Sequence, residues 1–534
     1  MMKQILIVLG ILLVFGCADV PDRNKQFITG GCTEGSGSAS ENQYVTPDNN
    51  APTISSPSSS GATDVSVSAD ITVPFSEAMD SSTINSTNIT VVDGSGNAVS
   101  GVWSYSGITA TFNPSSDLSY STTYTVTVGT GVKDRAGNAL GSASSWGFTT
   151  QNPYPVSITA GGHHTCALLS DSTVKCWGMN IYGQLGDGTT TERTSPVSVQ
   201  SLSSVTKIAS KNVHTCAVLS DQSARCWGYS SFGQLGDGSS YPTAYKSSPV
   251  EPLYDRKFLQ ISLGNVHTCA IVSDYSAECW GWNLSGQIGN MSTTKVTSPT
   301  AVYSLGTNNH PPSVSAIAVG DVHSCAVLSD GTAKCWGDNG YGRLGDGTST
   351  QRTIPTSVLY HNSNTLSVLP SIAALSLGTN HSCALMSDQT VNCWGRNNLG
   401  QLGNGTVNNS SIATKLPSLS FVSKIATGYH HNCVILTDKT LKCWGDNYYG
   451  QLGNGKSGGS DTNSDATDTY DADIESNTPL QVPSLTNVIE VSCGWHHTCV
   501  LLSDRTVKCW GRNLNGQLGN GTTTNSSVPV TVQF

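Results

Sequence analysis

The chain has 534 residues with a formal net charge of −10, and only 12% of its residues are charged, against about 25% in ordinary soluble proteins. That length holds more than one domain with a full core. The acidic balance, with no basic run to reverse it locally, excludes an electrostatic grip on nucleic acid or on an anionic membrane. The 55 glycines, with abundant Ser, Thr and Asn, suit many short strands joined by polar turns.

The first element is the apolar run ILIVLGILLVF at 5–15, behind the single positive charge of Lys3. It reads as a secretory signal, being shorter than the about 20 apolar residues a membrane-spanning helix needs. The junction Val14-Phe15-Gly16-Cys17 resembles a bacterial lipobox, with Phe15 departing from the usual small or aliphatic residue. The resemblance implies cleavage after Gly16 and lipid on Cys17, and hence an outer-membrane-anchored lipoprotein of a bacterial cell envelope, on its surface or periplasmic side. A plain signal peptide cleaved nearby is the alternative. Residues 17–50 are polar and rich in Gly, Ser and Asn, the composition of a flexible tether.

Between 51 and 150 the runs ADITVPF, NITVVD, ITATFNP, TTYTVTVGT and SWGFTT alternate with period two between turn clusters, which predicts an antiparallel sandwich. The order ITVPFSEAMD, TYTVTVGTGVKDRAGNAL, WGFTT resembles the bacterial Ig-like domain of S-layer and other surface proteins. Glu77, Asp80, Asp134 and Asn138 offer oxygens to a cation. The simpler expectation is a turn from Asp134 to Asn138, with Gly137 free to take positive φ.

From 155 to 534 one block recurs seven times, at steps of 50 to 66 residues: His, one residue, Cys, nine residues, Cys-Trp-Gly, then Gly-Gln-Leu-Gly or a close variant. The first copy is HTCALLSDSTVKCWG at 164–178, closed by GQLG at 183–186. The His recurs at His214, His267, His323, His381, His431 and His497. Asp171, Asp221, Asp274, Asp330, Asp388, Asp438 and Asp504 lie midway between the paired cysteines. Four short strands per block and seven blocks predict a seven-bladed β-propeller. In the second block the strands read SVTKIA, HTCAVLS, SARCWG and SPVEPLY. The expected fold is therefore all-β, an Ig-like β-sandwich followed by the propeller.

The cysteine spacing carries a geometric argument. Centring a hairpin turn on the midway Asp makes the two Cys of a block directly opposed across an antiparallel ladder, with Cα atoms about 4.5–5.5 Å apart, within reach of a disulfide. Seven intra-blade bridges follow: Cys166–Cys176, Cys216–Cys226, Cys269–Cys279, Cys325–Cys335, Cys383–Cys393, Cys433–Cys443 and Cys499–Cys509. Zinc fits worse, because structural sites space their Cys pairs at two to four residues and converge four ligands; no metal and no cofactor is expected. With Cys17 lipidated, Cys32 and Cys493 remain, and nothing in the sequence pairs them. The Trp after each second Cys, at 177, 227, 280, 336, 394, 444 and 510, faces away from its own bridge and is assigned to blade-to-blade packing.

The block resembles the repeat of the regulator of chromosome condensation family, Gly-x-x-His-Thr or His-Ser, an Asp turn, then Trp-Gly-x-Asn-x-x-Gly-Gln-Leu-Gly. Lys211 replaces the Gly in one block and Ser230 the Asn in the same block. The resemblance implies a seven-bladed propeller. It also raises an alternative activity, guanine-nucleotide exchange on a small GTPase, against which the export signal and the Cys pairs argue.

Seven equivalent histidines argue against catalysis, which needs one asymmetric constellation; each is expected to tie its strand to a neighbour, and no enzyme is expected. Function belongs where the blocks differ. Ahead of each GQLG stand Tyr182, Phe232, Ser285, Tyr341, Leu399, Tyr449 and Asn515, with Trp282 and Tyr448 nearby. Aromatic anchors suit protein interfaces, so Tyr182, Phe232, Trp282, Tyr341 and Tyr449 are the candidate contacts; the other reading has them plug their own loops. Insertions lie near 306–315, 360–370 and 456–478, the last carrying Asp461, Asp465, Asp468, Asp471, Asp473 and Glu475. Its spacing is not an EF-hand, and a solvated acidic loop is expected rather than a calcium site. The reading is a monomeric, non-catalytic envelope lipoprotein that binds a protein partner through its propeller loops, touching membrane through lipid alone.

Overall fold

Apolar side chains at every second residue put Ile71, Val73, Phe112, Val126, Val128 and Phe148 on one face of their strands, and in the computed structural model these faces meet as a β-sandwich core. The structure describes residues 47–57, 59–239, 245–305, 313–363, 365–458 and 471–534. The apolar run at 5–15, Cys17, Cys32, Asp461, Asp465 and Asp468 lie outside these residues. No helix among the described residues is long and apolar enough to cross a membrane.

The sandwich has two three-stranded sheets. One pairs Ile71–Pro74 with Thr109–Pro114 and Gly101–Ser106; the other pairs Ile89–Asp93 with Thr123–Val128 and Ser144–Thr149. Gly101–Ser106 is a strand the periodicity left out. It is an edge strand with no fully buried residue, so its alternation lacks the apolar contrast that marks its neighbours. Asp134 serves the expected turn: its Oδ1 accepts from the Asn138 backbone N–H at 2.8 Å and its Oδ2 from the Asn138 amide at 2.8 Å, with Gly137 at φ 94°. Asp80 likewise accepts from the Ser82 backbone N–H. Asp48, Glu77 and Asp134 bring carboxylate oxygens within 4.8 Å of one another.

Each propeller block folds into a four-stranded antiparallel blade, at 155–198, 205–250, 258–301, 314–357, 372–415, 422–481 and 488–531. The first strand of each lines the central channel, a cavity of about 310 Å³. The second and third pair in the register that sets Cys opposite Cys. All seven bridges are formed, with Cα atoms 4.0–4.1 Å apart, closer than the spacing expected from an unbridged ladder. The outer strand of the second blade is Tyr245–Val250, not SPVEPLY: Val250 pairs with Cys226, and the chain turns away through Pro252.

Blades join by one repeated interlock. The bridge of each blade packs in a common core with the Trp of the next, Cys166–Cys176 with Trp227 and so on around to Cys499–Cys509 with Trp177. All seven Trp are fully buried. The Gly after each Trp is obligatory: Gly178 sits at φ 106°, and a Cβ there would lie 2.6 Å from the His163 carbonyl oxygen.

The 360–370 insertion is a β-hairpin, Leu359–Asn362 with Thr365–Val368, whose first strand lies parallel to the outer strand of the fifth blade, Tyr360 opposite Ala413.

Candidate functional site

The repeated histidines are wholly buried, and each Nε2 meets the residue after the His of the next blade: Thr215, Thr268, Ser324, Ser382, Asn432, Thr498 and, closing the ring, Thr165, at 2.8–3.1 Å. Asn432 settles the proton. Its amide N–H donates to the Gln401 carbonyl, so its Oδ1 faces His381 and can only accept, and the imidazole carries its hydrogen on Nε2. The hydroxyls in the other blades donate to the corresponding carbonyl, as Thr215 does to Gln184 at 3.0 Å, and the same carbonyl accepts the Trp227 indole N–H at 2.9 Å. Burial holds His164 and His381 at about 4 and His214, His267, His431 and His497 at about 3, below the usual 6.5. These are neutral tie-bars, out of reach of any substrate.

The differing aromatic positions ahead of GQLG gather at the same end of the blades. The aromatic ahead of GQLG packs on the residue that follows Trp-Gly in the next blade. Tyr182 lies 4.8 Å from Tyr229 and Phe232 4.7 Å from Trp282, ring centre to ring centre. Tyr341 lies under the Arg396 guanidinium at 5.0 Å and Tyr449 under Arg512 at 5.4 Å. The aromatics bridge adjacent blades with their outer faces partly exposed, Tyr341 at 40%, and also touch their own blades, Phe232 on Tyr229, Tyr341 under Arg343 and Tyr449 on Tyr448. Tyr229–Phe232 contact at 5.9 Å makes one continuous aromatic arc over the first three blades.

A second arc spans the sixth and seventh blades and the first. Tyr429 packs on His430, Trp495 and His496; His496 lies against Tyr449 and 3.7 Å from Asp446; His163 packs edge-on to Trp495 and accepts from Arg512 at 3.2 Å. Burial and the neighbouring Arg512 hold His163 well below its usual range. Between the arcs Arg343, standing where six blocks have Gln, pairs with Asp338 at 3.1 Å.

Sequence reasoning placed Tyr182, Phe232, Trp282, Tyr341 and Tyr449 and missed Tyr229, Arg396, Arg512, Trp495, His496 and Arg343. The signal was available, since these occupy block positions between the Gly and the His, after Trp-Gly, and within GQLG, where copies also differ. Lys211, the exception at the Gly position, extends its strand by one residue, Asn212 takes φ 43°, and the ammonium reaches across the channel to the Leu377 carbonyl at 3.2 Å. Cys493 is buried in the channel wall, donates to the Ala426 carbonyl oxygen at 3.7 Å and bonds to none of the described cysteines; burial pushes its thiol up to about 12. In the acidic insertion, Asp471 and Glu475 close a local turn through the Asp471 backbone N–H and the Glu475 carboxyl.

Residues 304–534 match the RCC1-like domain model, and segments between 156 and 327 match models of the regulator of chromosome condensation (RCC1) repeat. Residues 48–150 match the bacterial Ig-like domain. The ultraviolet-B receptor UVR8 of Arabidopsis thaliana is 30% identical over 385 residues, 70% of this chain and 81% of that one. The probable E3 ubiquitin-protein ligase HERC6 of Homo sapiens is 30% identical over 283 residues, 52% of this chain but 25% of the ligase. Among solved structures, Prp20p of Saccharomyces cerevisiae superposes with TM-score 0.57 at 19% identity, covering 72% of this chain and 88% of that one. Human WBSCR16 superposes at 0.54 and 21%, covering 68% and 95%.

Proposed function

The chain belongs to the regulator of chromosome condensation (RCC1) repeat family, and on that premise we propose that it is a non-catalytic protein-binding module of the bacterial cell envelope. Lipid on Cys17 holds it there, the tether and Ig-like domain space it from the membrane, and the aromatic and arginine rim receives the partner. One observation carries the reading. The buried His and Trp common to all seven blades are committed to interlocking them, whereas the aromatic and arginine residues that differ around GQLG and Trp-Gly converge on one partly exposed rim, the side chains enriched where protein interfaces hold their energy. Support from relatives is of the same kind, since solved structures of the yeast propeller Prp20 include a complex with Kap60. The seven bridges suit an oxidising compartment.

Cross-linking on intact cells identifies the partner, and a combined Tyr182→Ala, Phe232→Ala, Tyr341→Ala and Tyr449→Ala variant tests the rim. At about 2 kcal/mol or more for each anchor, the variant folds yet loses its partner. A folded variant that binds unchanged removes the rim from consideration. Acceleration of nucleotide release from a small GTPase by the purified chain would replace the reading with an exchange factor.

A further inference from the structure

At the face opposite the rim, where the second and third strands of a blade meet in their Asp turn, the seventh and fifth blades each carry a hollow. In the seventh blade it is lined by Leu485, Leu502, Asp504 and Lys508 and holds about 160 Å³. The matching hollow of the fifth blade, lined by Leu369, Met386, Asp388 and Asn392, holds about 550 Å³.

Two departures from the repeat enlarge it. The residue ahead of the second Cys is Lys175, Arg225, Glu278, Lys334, Lys442 or Lys508 in six blades and the shorter Asn392 in the fifth. The added hairpin then builds a new wall, placing Tyr360 beside Ile412 and Ala413. Asn392 is 8% exposed, its amide lines the cavity, and it has no side-chain hydrogen bond among the described residues. Asp388 is engaged by its own turn, accepting from the Thr390 backbone N–H at 3.0 Å and hydroxyl at 2.6 Å. Lys415 stands exposed at the edge.

The geometry points to a ligand site for an uncharged, largely apolar small molecule carrying one hydrogen-bonding group. The volume falls in the range of small-molecule pockets, about 300–1,000 Å³, which are mostly apolar with a few polar groups that fix orientation. Leu369, Pro370, Met386 and Ile412 supply the apolar surface. The Asn392 amide, which has no protein partner among the described residues and stays accessible from the hollow, is the orienting group for a bound donor or acceptor. This site stands apart from the rim and does not depend on the rim binding a protein.

The test is a fluorescence titration of the purified full chain with phenylnaphthylamine, an uncharged dye with one N–H that brightens in apolar surroundings. One dye binds saturably per chain. Asn392→Lys, which installs the residue four other blades carry, weakens binding at least tenfold, as does Ile412→Trp, which fills the cavity from the opposite wall. Loss in either variant with an unchanged melting temperature supports the site. Equal binding by the wild type and both variants, or no saturable binding by the wild type, overturns it.

Discussion

His267 shows what one repeated side chain does. Its ring is fully buried, its Nε2–H donates to Ser324 of the next blade at 2.9 Å, and burial holds it at about 3. In the unfolded chain the same ring takes a proton near pH 6.5. Below that pH the unfolded state binds more protons, so the stability contributed by the ring of histidines is complete above about 6.5 and is lost as pH falls toward the folded values. Glu475, pushed up to about 8 by burial, works in the opposite sense, its contribution being present at low pH and lost as pH rises through that value. The net expectation is a melting temperature that falls steadily from pH 6.5 to 4. Chemical denaturation across that window isolates one histidine: His267→Gln lowers the slope of stability against pH by up to one proton, about 1.4 kcal/mol per pH unit. An unchanged slope would mean that His267 titrates alike in both states.

At the scale of the element, the unit is the central hairpin of a blade with its bridge. Cys269–Cys279 joins directly opposed residues and packs with Trp336 of the next blade, whose indole N–H donates to the Gln287 carbonyl at 2.9 Å. Non-reducing peptide mapping recovers these two cysteines as one linked pair. Replacing both with Ala costs roughly 2.5 to 3 kcal/mol from loop closure, and more because the sulfurs fill core space against Trp336; urea unfolding measures the sum. A cost near zero would show that the bridge adds nothing beyond the hairpin. The edge strand Gly101–Ser106 and the hairpin on the fifth blade escaped the periodicity for one physical reason. A strand with little buried surface needs little apolar contrast to form once a partner edge is offered.

For the whole molecule, the first and last blades are each built from contiguous chain, so no shared strand closes the ring. Closure rests on the same contacts used elsewhere, His497 with Thr165 and Trp177 with the Gln517 carbonyl. Glu490 also accepts across the closure from the Ser157 hydroxyl at 2.9 Å and the Ile158 backbone N–H at 3.1 Å, as Gln260 accepts from the Ile317 backbone N–H between the third and fourth blades. Cys17→Ser releases the protein from membranes or stalls its processing, and fractionation of cells checks it; a variant that stays membrane-bound and is cleaved as before removes the lipid from the account.

The number of blades, the partners of fourteen cysteines and the burial of seven tryptophans are legible in the residue order. Each follows from a local period or index sum repeated often enough to exclude accident. Five of the rim residues were also readable, because Tyr182, Phe232, Trp282, Tyr341 and Tyr449 break an otherwise regular block. Three features emerge from the folded chain alone: Tyr341 and Tyr449 lie under Arg396 and Arg512, Lys211 crosses the channel to Leu377, and Asn392 faces a cavity walled by a hairpin. Those contacts join residues of different blades or elements distant in sequence, and their meeting depends on the angle between neighbouring blades, which no local pattern encodes.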